Sequence, residues 1–518
     1  MNIRFLMSVL LFVCVTTISG QERYEAESAK YSNCQVVSGN NYSGGKALRM
    51  TEGTARVEFE INASHRSKCK IYAGGNGVGG DKVVRCTVNG SSSTFHLNAY
   101  DEVEIGSFVM KQGTNSVVIS PDWTWFDIDY IRVQQIDAEL AFNISPSPVD
   151  ENATDAARAM YSFLLNNFGK KTVSGMMLGD MSSANGNVLQ HDDIKAVYSA
   201  SGYYPALVGF DFMNTTGLKE NDSWYRSYSR ATITLAKDIY KRGGFPAFTW
   251  HWRDPSRSTE AFYSSDTQMK ITNAMNADGS WNTSSALYMN IIKDIDAIAD
   301  CMLELQNAGV ACIFRPLHEA NGGWFWWGRE GSEAFCKLYR LVFDEMVKVK
   351  GVHNVIWVWN ADASDASWNP GKEYFDVVSA DIYNDAYDYS SNYVSFDNLK
   401  SLTNGEKLIA LSENGPIPDI EKEVEDEAVW SWWMPWYNTW DGNFVKKTST
   451  AEWKKCMGDE RVITLEDMSG GWSNSLSVPQ LYTGGSQQHR YYDMSGRRIT
   501  SRPSHGLYIK DNKKVVVR

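Results

Sequence analysis

The sequence has little of what disulfide frameworks, metal ribbons and nucleic-acid surfaces require. Its 518 residues include only 8 Cys, 8 His and 13 Pro, and no two Cys have C-x-x-C spacing. Positive charge is also in deficit, with 50 Lys and Arg against 62 Asp and Glu, a net charge of −12. Nucleic acids and anionic lipids attract basic surfaces, so neither is the expected partner.

Long apolar runs are equally scarce. The one clear run covers residues 5–15, follows Arg4 and precedes the small residues Ser19 and Gly20. It is too short to span a bilayer and has the pattern of a secretory signal peptide. We therefore expect residues 1–20 to be removed and the mature chain to be exported and soluble, without a membrane segment.

Cysteine usage outside that segment leaves two alternatives open. Seven Cys remain after Cys14, and an odd number cannot pair completely. Cys69 and Cys86 lie in neighbouring strand-like runs and could pair, but buried free thiols are an equal alternative.

Aromatic residues, by contrast, are abundant. The chain has 19 Trp, 26 Tyr and 21 Phe, and seventeen of the Trp lie at or after Trp224. Large flat side chains with a polar atom suit protein cores, and they also suit the faces of sugar rings.

The pattern of apolar residues divides the chain into three parts. Residues 22–136 contain short β-rich runs separated by Gly, Asn and Ser clusters, which predicts a β-sandwich: 68–73, 83–88, 107–110, 116–119 and 128–133. Residues 137–150 are predicted to be a linker because 144–150 is rich in Pro and Ser. The last forty residues, 479–518, form a small, basic, strand-rich tail.

Between residues 151 and 474 the period changes to that of helices alternating with buried strands. Apolar residues recur at spacings of three and four from Leu287 to Leu305, which predicts one face of a long helix. Eight strand-like runs are separated mostly by helical stretches: 172–177, 204–212, 245–252, 312–319, 355–360, 377–383, 407–414 and 461–468. This predicts a (β/α)₈ barrel. A doubly wound sheet is the alternative, but no Gly-rich phosphate turn follows any strand.

The barrel prediction places two candidate catalytic carboxylates at one face. Glu319 ends the fourth predicted strand and Glu413 the seventh, and the carboxyl ends of barrel strands meet at one mouth. A pair of carboxylates flanking a bond is the machinery of glycoside hydrolysis, one protonated and the other ionised. His318 and Glu319 lack the second His of a zinc-protease motif, and this chemistry needs no metal or other cofactor.

Histidines and aromatic residues lie at the same strand ends. His251 stands in Thr-Trp-His-Trp at the third predicted strand, and His318 precedes Glu319. Three aromatic segments follow or end other predicted strands: Trp-Phe-Trp-Trp (324–327), Trp-Val-Trp-Asn (357–360) and Asp-Ile-Tyr-Asn (381–384). We expect these groups to line one cleft, where aromatic rings stack on pyranoses and polar groups contact hydroxyls.

With these residues in place, the segment at about 150–474 resembles glycoside hydrolase family 26. The resemblance rests on Arg-Pro-Leu-His-Glu-Ala-Asn-Gly-Gly-Trp-Phe-Trp-Trp-Gly (315–328), Leu-Ser-Glu-Asn-Gly (411–415) and Thr-Trp-His-Trp (249–252). It implies a retaining barrel enzyme, most often an endo-β-1,4-mannanase, with Glu319 as acid/base and Glu413 as nucleophile. By the same resemblance His251, His318, Trp324 and Trp359 contact the sugar, and Tyr383 orients Glu413.

Residues 24–133 resemble a carbohydrate-binding module of family 35 or the neighbouring family 6. The matching segments are Tyr-Glu-Ala-Glu (24–27), Asn-Tyr-Ser-Gly-Gly (41–45) and Asp-Ile-Asp-Tyr-Ile (127–131). The resemblance implies a structural Ca²⁺, for which Glu25, Glu27 and Asp129 offer hard oxygen ligands. Trp123 and Trp125, in the loop before the last strand, are candidate stacking residues, and edge packing is the alternative.

The tail resembles the C-terminal sorting domain of the type IX secretion pathway, through Tyr-Asp-Met-Ser-Gly-Arg-Arg (492–498). This implies a Gram-negative bacterial host, recognition by that secretion machinery, and delivery to the cell surface or medium. An accessory β-hairpin is the alternative.

Three functions are compatible with the whole sequence. The first is an exported retaining mannanase whose partner is a β-mannan-type polysaccharide. The second is a related β-1,3-1,4-glucanase or β-1,3-xylanase, and the third is a non-catalytic polysaccharide-binding protein on a barrel that has lost activity. The presence of both Glu319 and Glu413 favours an enzyme.

Overall fold

The N-terminal module consists of two antiparallel sheets packed face to face. The computed structural model describes residues 21–136, 140–362, 364–438 and 442–470, with the backbone of four strands between 491 and 517. One sheet has the order β3-β4-β11-β6-β9, with β1 also paired to β11, and the other has the order β2-β5-β10-β7-β8. The strands are β1 Gln21–Glu25, β2 Lys30–Ser32, β3 Gln35–Ser38, β4 Lys46–Met50, β5 Arg56–Ala63, β6 Ser67–Gly77, β7 Lys82–Val88, β8 Ser91–Leu97, β9 Asp101–Met110, β10 Gly113–Pro121 and β11 Phe126–Gln135.

Alternation along these strands explains the sandwich. In β5, Val57, Phe59 and Ile61 are buried, while the residues between them are exposed or half-buried. This period of two places one face of each sheet in a shared core, as predicted. Cys69 lies on β6 and Cys86 on β7, in different sheets, and both are buried free thiols. Of the two alternatives for these cysteines, the structure therefore has free thiols.

The second domain is a closed barrel of eight parallel strands, as predicted. Its sheet runs β13-β14-β15-β16-β17-β18-β19-β12, and the pairing of β12 with β13 closes the ring. Most of these strands are buried along their whole length, which explains their continuous apolar sequences. The strands are β12 Thr172–Met177, β13 Leu207–Asp211, β14 Phe245–Thr249, β15 Cys312–Arg315, β16 Val355–Asn360, β17 Val377–Ile382, β18 Leu408–Asn414 and β19 Trp432–Pro435.

The eighth strand is not the one predicted. Residues 461–468 contain only the two-residue strand β20, Val462–Ile463, which pairs with the first two residues of β12. The strand that completes the barrel is β19, whose Trp432 and Trp433 pair with Val173 and Ser174. Trp favours strands, but this Trp-Trp-Met-Pro run is only four residues long and ends in Pro, so its length does not mark it as a strand. Its pairing with β12 and β18 defines it as one.

Helices surround the barrel and bury one face each. In α4, Ile291, Ile295, Ile298, Met302 and Leu305 are fully buried, which confirms the predicted helical face. The helices are α1 Asp155–Asn167, α2 Asp192–Ser201, α3 Ser223–Lys241, α4 Ala286–Asn307, α5 Ser332–Asp344, α6 Tyr393–Leu402, α7 Ile420–Asp426 and α8 Thr450–Met457. Within the described ranges, none of these helices has both the length and the apolar character of a membrane span.

Residues 140–150, in the predicted linker, lie against the barrel. Ile144 is 1% exposed, the Tyr161 hydroxyl donates to the Ser145 carbonyl at 2.8 Å, and Asp150 Oδ2 contacts His353 Nδ1 at 2.8 Å. The module also contacts the barrel directly, since Val394 of α6 is buried in the core of the module. The two domains therefore share a packed interface.

The C-terminal tail contains a small antiparallel sheet. Its strands are β21 Tyr491–Tyr492, β22 Arg498–Ile499, β23 Gly506–Lys510 and β24 Lys513–Val517, in the order β22-β21-β23-β24. The proposed signal peptide and most of the sorting-domain motif lie outside the described residues.

Candidate active site

The two predicted carboxylates meet at the carboxyl ends of the barrel strands. Glu413 is the sixth residue of β18, and Glu319 lies in the turn that follows β15. One carboxylate oxygen of each lies within 4.8 Å of the other. Glu413 is 3% exposed, so the pair stands in a site from which much of the water is excluded.

Backbone conformation aims Glu319 into the mouth. Leu317 and Glu319 have positive φ angles of 53° and 52°, which non-glycine residues rarely adopt and which cluster at functional sites. Asn360, the last residue of β16, holds this turn because its Oδ1 accepts the Glu319 N–H at 2.7 Å. Burial, followed by the charge of Glu413, raises the pKa of Glu319 above its ordinary value. Glu319 is thus suited to carry a proton.

An arginine compensates the charge of the second carboxylate. Arg315, the last residue of β15, donates through Nη1 to Asp381 Oδ2 at 2.7 Å and through Nη2 to Glu413 Oε1. The Tyr383 hydroxyl donates to Glu413 Oε2 at 2.5 Å. Burial opposes the charge on Arg315, but Asp381 and Glu413 more than offset this and raise its pKa. Both Glu413 oxygens are held by donors, which fixes the orientation of a carboxylate placed to act as a nucleophile.

The carboxylates of Glu319, Asp381 and Glu413 are close enough together to be considered as metal ligands. However, the Arg315 guanidinium already bridges Asp381 and Glu413 as their counter-charge. A cation among these oxygens would face that fixed positive charge. The donor set therefore fits proton transfer and nucleophilic attack rather than metal binding.

Asn360, Asp381 and Asp362 connect the two halves of the site. Asn360 Nδ2 donates to Asp381 Oδ1 at 3.0 Å, and the Asp381 N–H donates to Asp362 Oδ1 at 2.8 Å. Burial, with the charge of Glu319 as the main electrostatic contribution, raises the pKa of Asp362 to about 7. A continuous chain of hydrogen bonds thus runs from the Glu319 backbone through Asn360, Asp381 and Arg315 to Glu413.

The two predicted histidines form a second chain. His251 Nδ1 donates to Asp211 Oδ2 at 2.6 Å, and its Nε2 lies 3.3 Å from His318 Nε2. Burial lowers the pKa of His251, but Asp211 more than offsets this and raises it. Burial, and then the charges of His251 and Arg315, holds the pKa of His318 well below its ordinary value. Of the two rings, His251 therefore binds a proton more readily, which suits it to be the donor in its contact with His318.

Aromatic rings line the opening. Trp324 is 46% exposed, and its Nε1 donates to Glu319 Oε2 at 2.8 Å. Tyr263 stacks on Phe325 with 5.3 Å between ring centroids, and Phe325 lies 5.4 Å from His251. Glu319, Glu413, His251, His318, Trp324 and Tyr383 are thus all brought to one site, as the sequence predicts.

Trp359 is the exception, and here the prediction is wrong. It is 1% exposed and packs on Phe375, with 5.2 Å between ring centroids. Successive residues of a strand point to opposite sides, so the neighbouring Asn360 faces the site while Trp359 points to the other side of the sheet. Trp359 has no free face for a sugar.

The predicted residues of the N-terminal module also have defined positions. Glu25, Glu27 and Asp129 each place a carboxylate oxygen within 4.8 Å of the others. Three of their buried oxygens, Glu25 Oε2, Glu27 Oε2 and Asp129 Oδ1, have no hydrogen-bond partner. Trp123 and Trp125 are 58% and 52% exposed in the turn between β10 and β11. The first group offers oxygen ligands and the second offers flat apolar surface.

Sequence reasoning did not single out Asp211, Arg315, Asn360, Asp381 and Trp436 as site residues. The first three end barrel strands, Asp381 lies near the end of β17, and Trp436 directly follows β19, 6.0 Å from the His251 ring. Polar residues at the carboxyl ends of buried strands were an available signal for the first four. Trp436 was missed because β19 was not recognised as a strand.

The site combines a (β/α)₈ barrel, exposed aromatic rings and two facing carboxylates, one of raised pKa and one held by Arg and Tyr. This combination is typical of glycoside hydrolases. The family model of glycosyl hydrolase family 26 matches residues 149–467 of the chain. The chain therefore belongs to glycosyl hydrolase family 26. The match includes every strand of the barrel, so the barrel is the catalytic domain of a glycoside hydrolase.

Individual relatives agree with this assignment. The chain is 30% identical to a mannan endo-1,4-beta-mannosidase of Thermothelomyces thermophilus over 474 residues, 87% of this chain and 91% of the relative. It is 28% identical to mannan endo-1,4-beta-mannosidase B of Piromyces sp, over 90% of this chain and 81% of the relative. Both matches extend beyond the barrel.

Two solved structures are similar as well. The Podospora anserina GH26-CBM35 β-(1,4)-mannanase superposes with a TM-score of 0.58 at 27% identity, covering 88% of this chain and 99% of that one. A β-mannanase from a symbiotic protist of the termite Reticulitermes speratus, complexed with gluco-manno-oligosaccharide, gives 0.57 at 39% identity, covering 63% and 98%. The first of these combines a barrel with a carbohydrate-binding module.

Proposed function

We propose that the protein is an endo-β-1,4-mannanase that hydrolyses mannan, glucomannan or galactomannan. The observation that carries the proposal is the pair Glu319 and Glu413, with oxygens within 4.8 Å of each other, beside the exposed ring of Trp324. Relatives that match over most of this chain are mannan endo-1,4-beta-mannosidases, and a 39% identical structure holds a gluco-manno-oligosaccharide. These relatives support the substrate class.

The geometry favours a double displacement with retention of configuration. Retaining enzymes place their two carboxyl groups about 5–5.5 Å apart, while inverting enzymes leave room for a water between them. In the first step Glu319 protonates the departing glycosidic oxygen as Glu413 attacks the anomeric carbon. In the second, Glu319 removes a proton from the water that releases the sugar from Glu413. Arg315 and Tyr383 hold the Glu413 oxygens in position for attack.

Substrate class is tested by reducing-sugar release from mannan, lichenan and β-1,3-xylan. We expect hydrolysis of mannan, with oligosaccharides of several lengths among the early products. Preferred hydrolysis of lichenan or β-1,3-xylan would replace the proposal by the corresponding glucanase or xylanase. Binding without any hydrolysis, unaffected by Glu319→Ala and Glu413→Ala, would identify a non-catalytic binding protein.

The stereochemical outcome is tested separately by NMR of the first-formed product. We expect the β-anomer to appear first and the α-anomer only later, by mutarotation. An initial α-anomer would contradict the assignment of Glu413 as nucleophile. Glu413→Ala should lower kcat on mannan by several orders of magnitude, since no covalent intermediate can form.

We further infer that the N-terminal module binds polysaccharide through Trp123 and Trp125 and holds a Ca²⁺ through Glu25, Glu27 and Asp129. Three buried carboxylate oxygens without partners fit a hard cation, which takes oxygen ligands. Burial is the main cause that raises the pKa of Asp129, and the charges of Glu25 and Glu27 add to it. A bound cation would offset this concentration of negative charge.

Calcium is tested by thermal unfolding of the full chain with CaCl₂ or EDTA. At a calcium concentration of about 100 Kd, binding to the native state alone adds about 2.7 kcal/mol to the free energy of unfolding. We expect the module transition to rise with Ca²⁺ in the wild type and not in Glu27→Gln. An equal response in both proteins would exclude this site.

Export remains a proposal that rests on sequence. The apolar run at residues 5–15 supports cleavage after residue 20, and the tail at 479–518 supports delivery through the type IX pathway to the surface or medium of a Gram-negative cell. N-terminal sequencing of the protein from the medium, with and without residues 479–518, tests both.

A further inference from the structure

A large aromatic side chain lies exposed at the catalytic face, away from Glu319 and Glu413. Trp224 is 56% exposed at the start of α3, the helix that follows β13 and therefore begins at the carboxyl-end face of the barrel. The Asp222 side chain caps this helix and accepts the Trp224 N–H at 2.8 Å. The backbone that carries the ring is thus fixed.

Neighbouring rings fix the orientation of the indole. The Trp224 centroid lies 5.6 Å from Tyr225 and 5.7 Å from Tyr228, and both tyrosine hydroxyls are anchored. Tyr225 donates to Glu260 Oε2 at 3.2 Å, and Tyr228 donates to the Gly179 carbonyl at 3.3 Å. A flat apolar face is thereby presented to solvent by groups that are already ordered, so little entropy is lost when a ligand covers it.

A continuous row of side chains connects this face to the catalytic histidines. The Arg253 guanidinium lies 5.1 Å from the Tyr225 ring and 5.9 Å from the Phe262 ring. Phe262 in turn lies 5.0 Å from His251, which contacts His318. Arg253 is held by the carbonyls of Met213 and Glu260, each at 2.7 Å. The row has aromatic faces with polar edges along its length.

We propose that Trp224, with Tyr225 beside it, forms a distal subsite that stacks on a pyranose of the polysaccharide chain outside the cleavage point. The ligand is a further unit of the same β-linked polymer, because the side-chain contacts that begin at Trp224 lead to His251 at the catalytic site. An isolated surface aromatic needs no explanation, but a fixed exposed ring connected in this way to the site offers an apolar face to a neighbouring sugar. The proposal rests on the proposed mannanase function and specifies how far its binding cleft extends.

The test compares chain lengths in the full protein. KM is measured for mannotriose and mannohexaose with the wild type, Trp224→Ala, Trp224→Phe and a control, Tyr198→Ala. Tyr198 is also exposed, at 43%, but it stacks on Tyr204, which precedes β13 at the opposite end of the barrel. The control therefore removes a surface aromatic far from the cleft.

We expect Trp224→Ala to raise the ratio of the KM for mannohexaose to the KM for mannotriose about tenfold, because the longer substrate loses its apolar contact with the Trp224 ring. Trp224→Phe should restore part of the difference, and Tyr198→Ala should leave the ratio unchanged. The same ratio in the wild type and Trp224→Ala, with both proteins folded and active, would overturn the subsite. Failure of the wild type to hydrolyse either oligosaccharide would contradict the proposed function instead.

Discussion

Replacing Asn360 separates the two halves of the catalytic site. Its Oδ1 holds the Glu319 N–H at 2.7 Å, and its Nδ2 donates to Asp381 Oδ1 at 3.0 Å. Asn360→Ala removes both bonds and leaves the backbone of the acid/base without its support. Since Glu319 has a φ of 52°, we expect the turn to relax and its carboxyl to move away from the glycosidic oxygen.

The size of the effect follows from what is lost. Each buried polar group left without a partner costs about 1–3 kcal/mol, so the two groups left by Asn360→Ala should lower the free energy of unfolding by about 2–6 kcal/mol. A displacement of about 1 Å from reactive geometry costs about 10²-fold in rate, so kcat on mannan should fall by about that factor. KM should change less, because Asn360 is 2% exposed and offers little surface to substrate.

The assay compares two leaving groups. A dinitrophenyl mannobioside departs without protonation, so its first chemical step needs Glu413 but not the acid Glu319. We expect Asn360→Ala to lose much less activity on this substrate than on mannan. Trp359→Phe is the matched control: it alters the adjacent residue of β16 on the opposite side of the strand, and should lower stability without this selectivity.

A folded but fully active variant would refute this role of Asn360. If Asn360→Ala is folded and its kcat on mannan stays within about threefold of the wild type, the bond to Glu319 does not position the acid/base. Asn360→Asp gives an independent check, since the introduced carboxyl, when protonated, can replace the amide donor to Asp381, whereas two ionised carboxylates repel each other. The activity of Asn360→Asp should therefore fall at a lower pH than that of the wild type.

Other predictions follow from the titrating groups. Glu319 must be protonated, and its pKa is raised by burial and by Glu413, so kcat/KM should fall as the pH rises through that raised pKa. Glu413→Gln should lower the pKa of Glu319, measured by NMR titration. An unchanged titration would contradict the link between the two residues. Burial raises the pKa of Glu423 on α7 well above its ordinary 4.5, so the native state binds the proton more tightly than the unfolded chain does, and stability should decline as the pH rises above 4.5. When Tm is measured against pH, the decline should be smaller in Glu423→Gln than in the wild type. Parallel curves for the two proteins would refute this role of Glu423. Arg315→Lys keeps one charge but cannot bridge Asp381 and Glu413 in the same way, so kcat should fall at least about tenfold, and near wild-type kcat would show that the bridge is dispensable.

Much of the fold and the central pair of residues could be predicted from sequence. Buried strands with continuous apolar sequences alternate with amphipathic helices such as α4, and that alternation indicates a parallel α/β fold, for which the absence of a Gly-rich phosphate turn favours a barrel. Glu319 follows one such strand and Glu413 lies near the end of another, so closure of the barrel brings them to one mouth. Strand β19 was not predicted because Trp-Trp-Met-Pro is only four residues long and ends in Pro, and without it Trp436 was not predicted either.

The supporting network could not be predicted in the same way. Asn360 and Trp359 are neighbours in sequence, and which of them faces the site depends on the register of β16 between β15 and β17. Likewise, the bridge of Arg315 to Asp381 and Glu413 joins residues 66 and 98 positions apart, and no local pattern specifies it.

By itself, the sequence determined seven of the eight barrel strands, the amphipathic helices and the two carboxylates that reach the catalytic face, because periodicity and strand ends are local properties. Tertiary structure decided the raised pKa of Glu319, the partners that hold both carboxylates, and the row of side chains from His251 to Trp224. Burial and charge depend on what surrounds a group in space, and the chain acquires those surroundings only when the barrel closes.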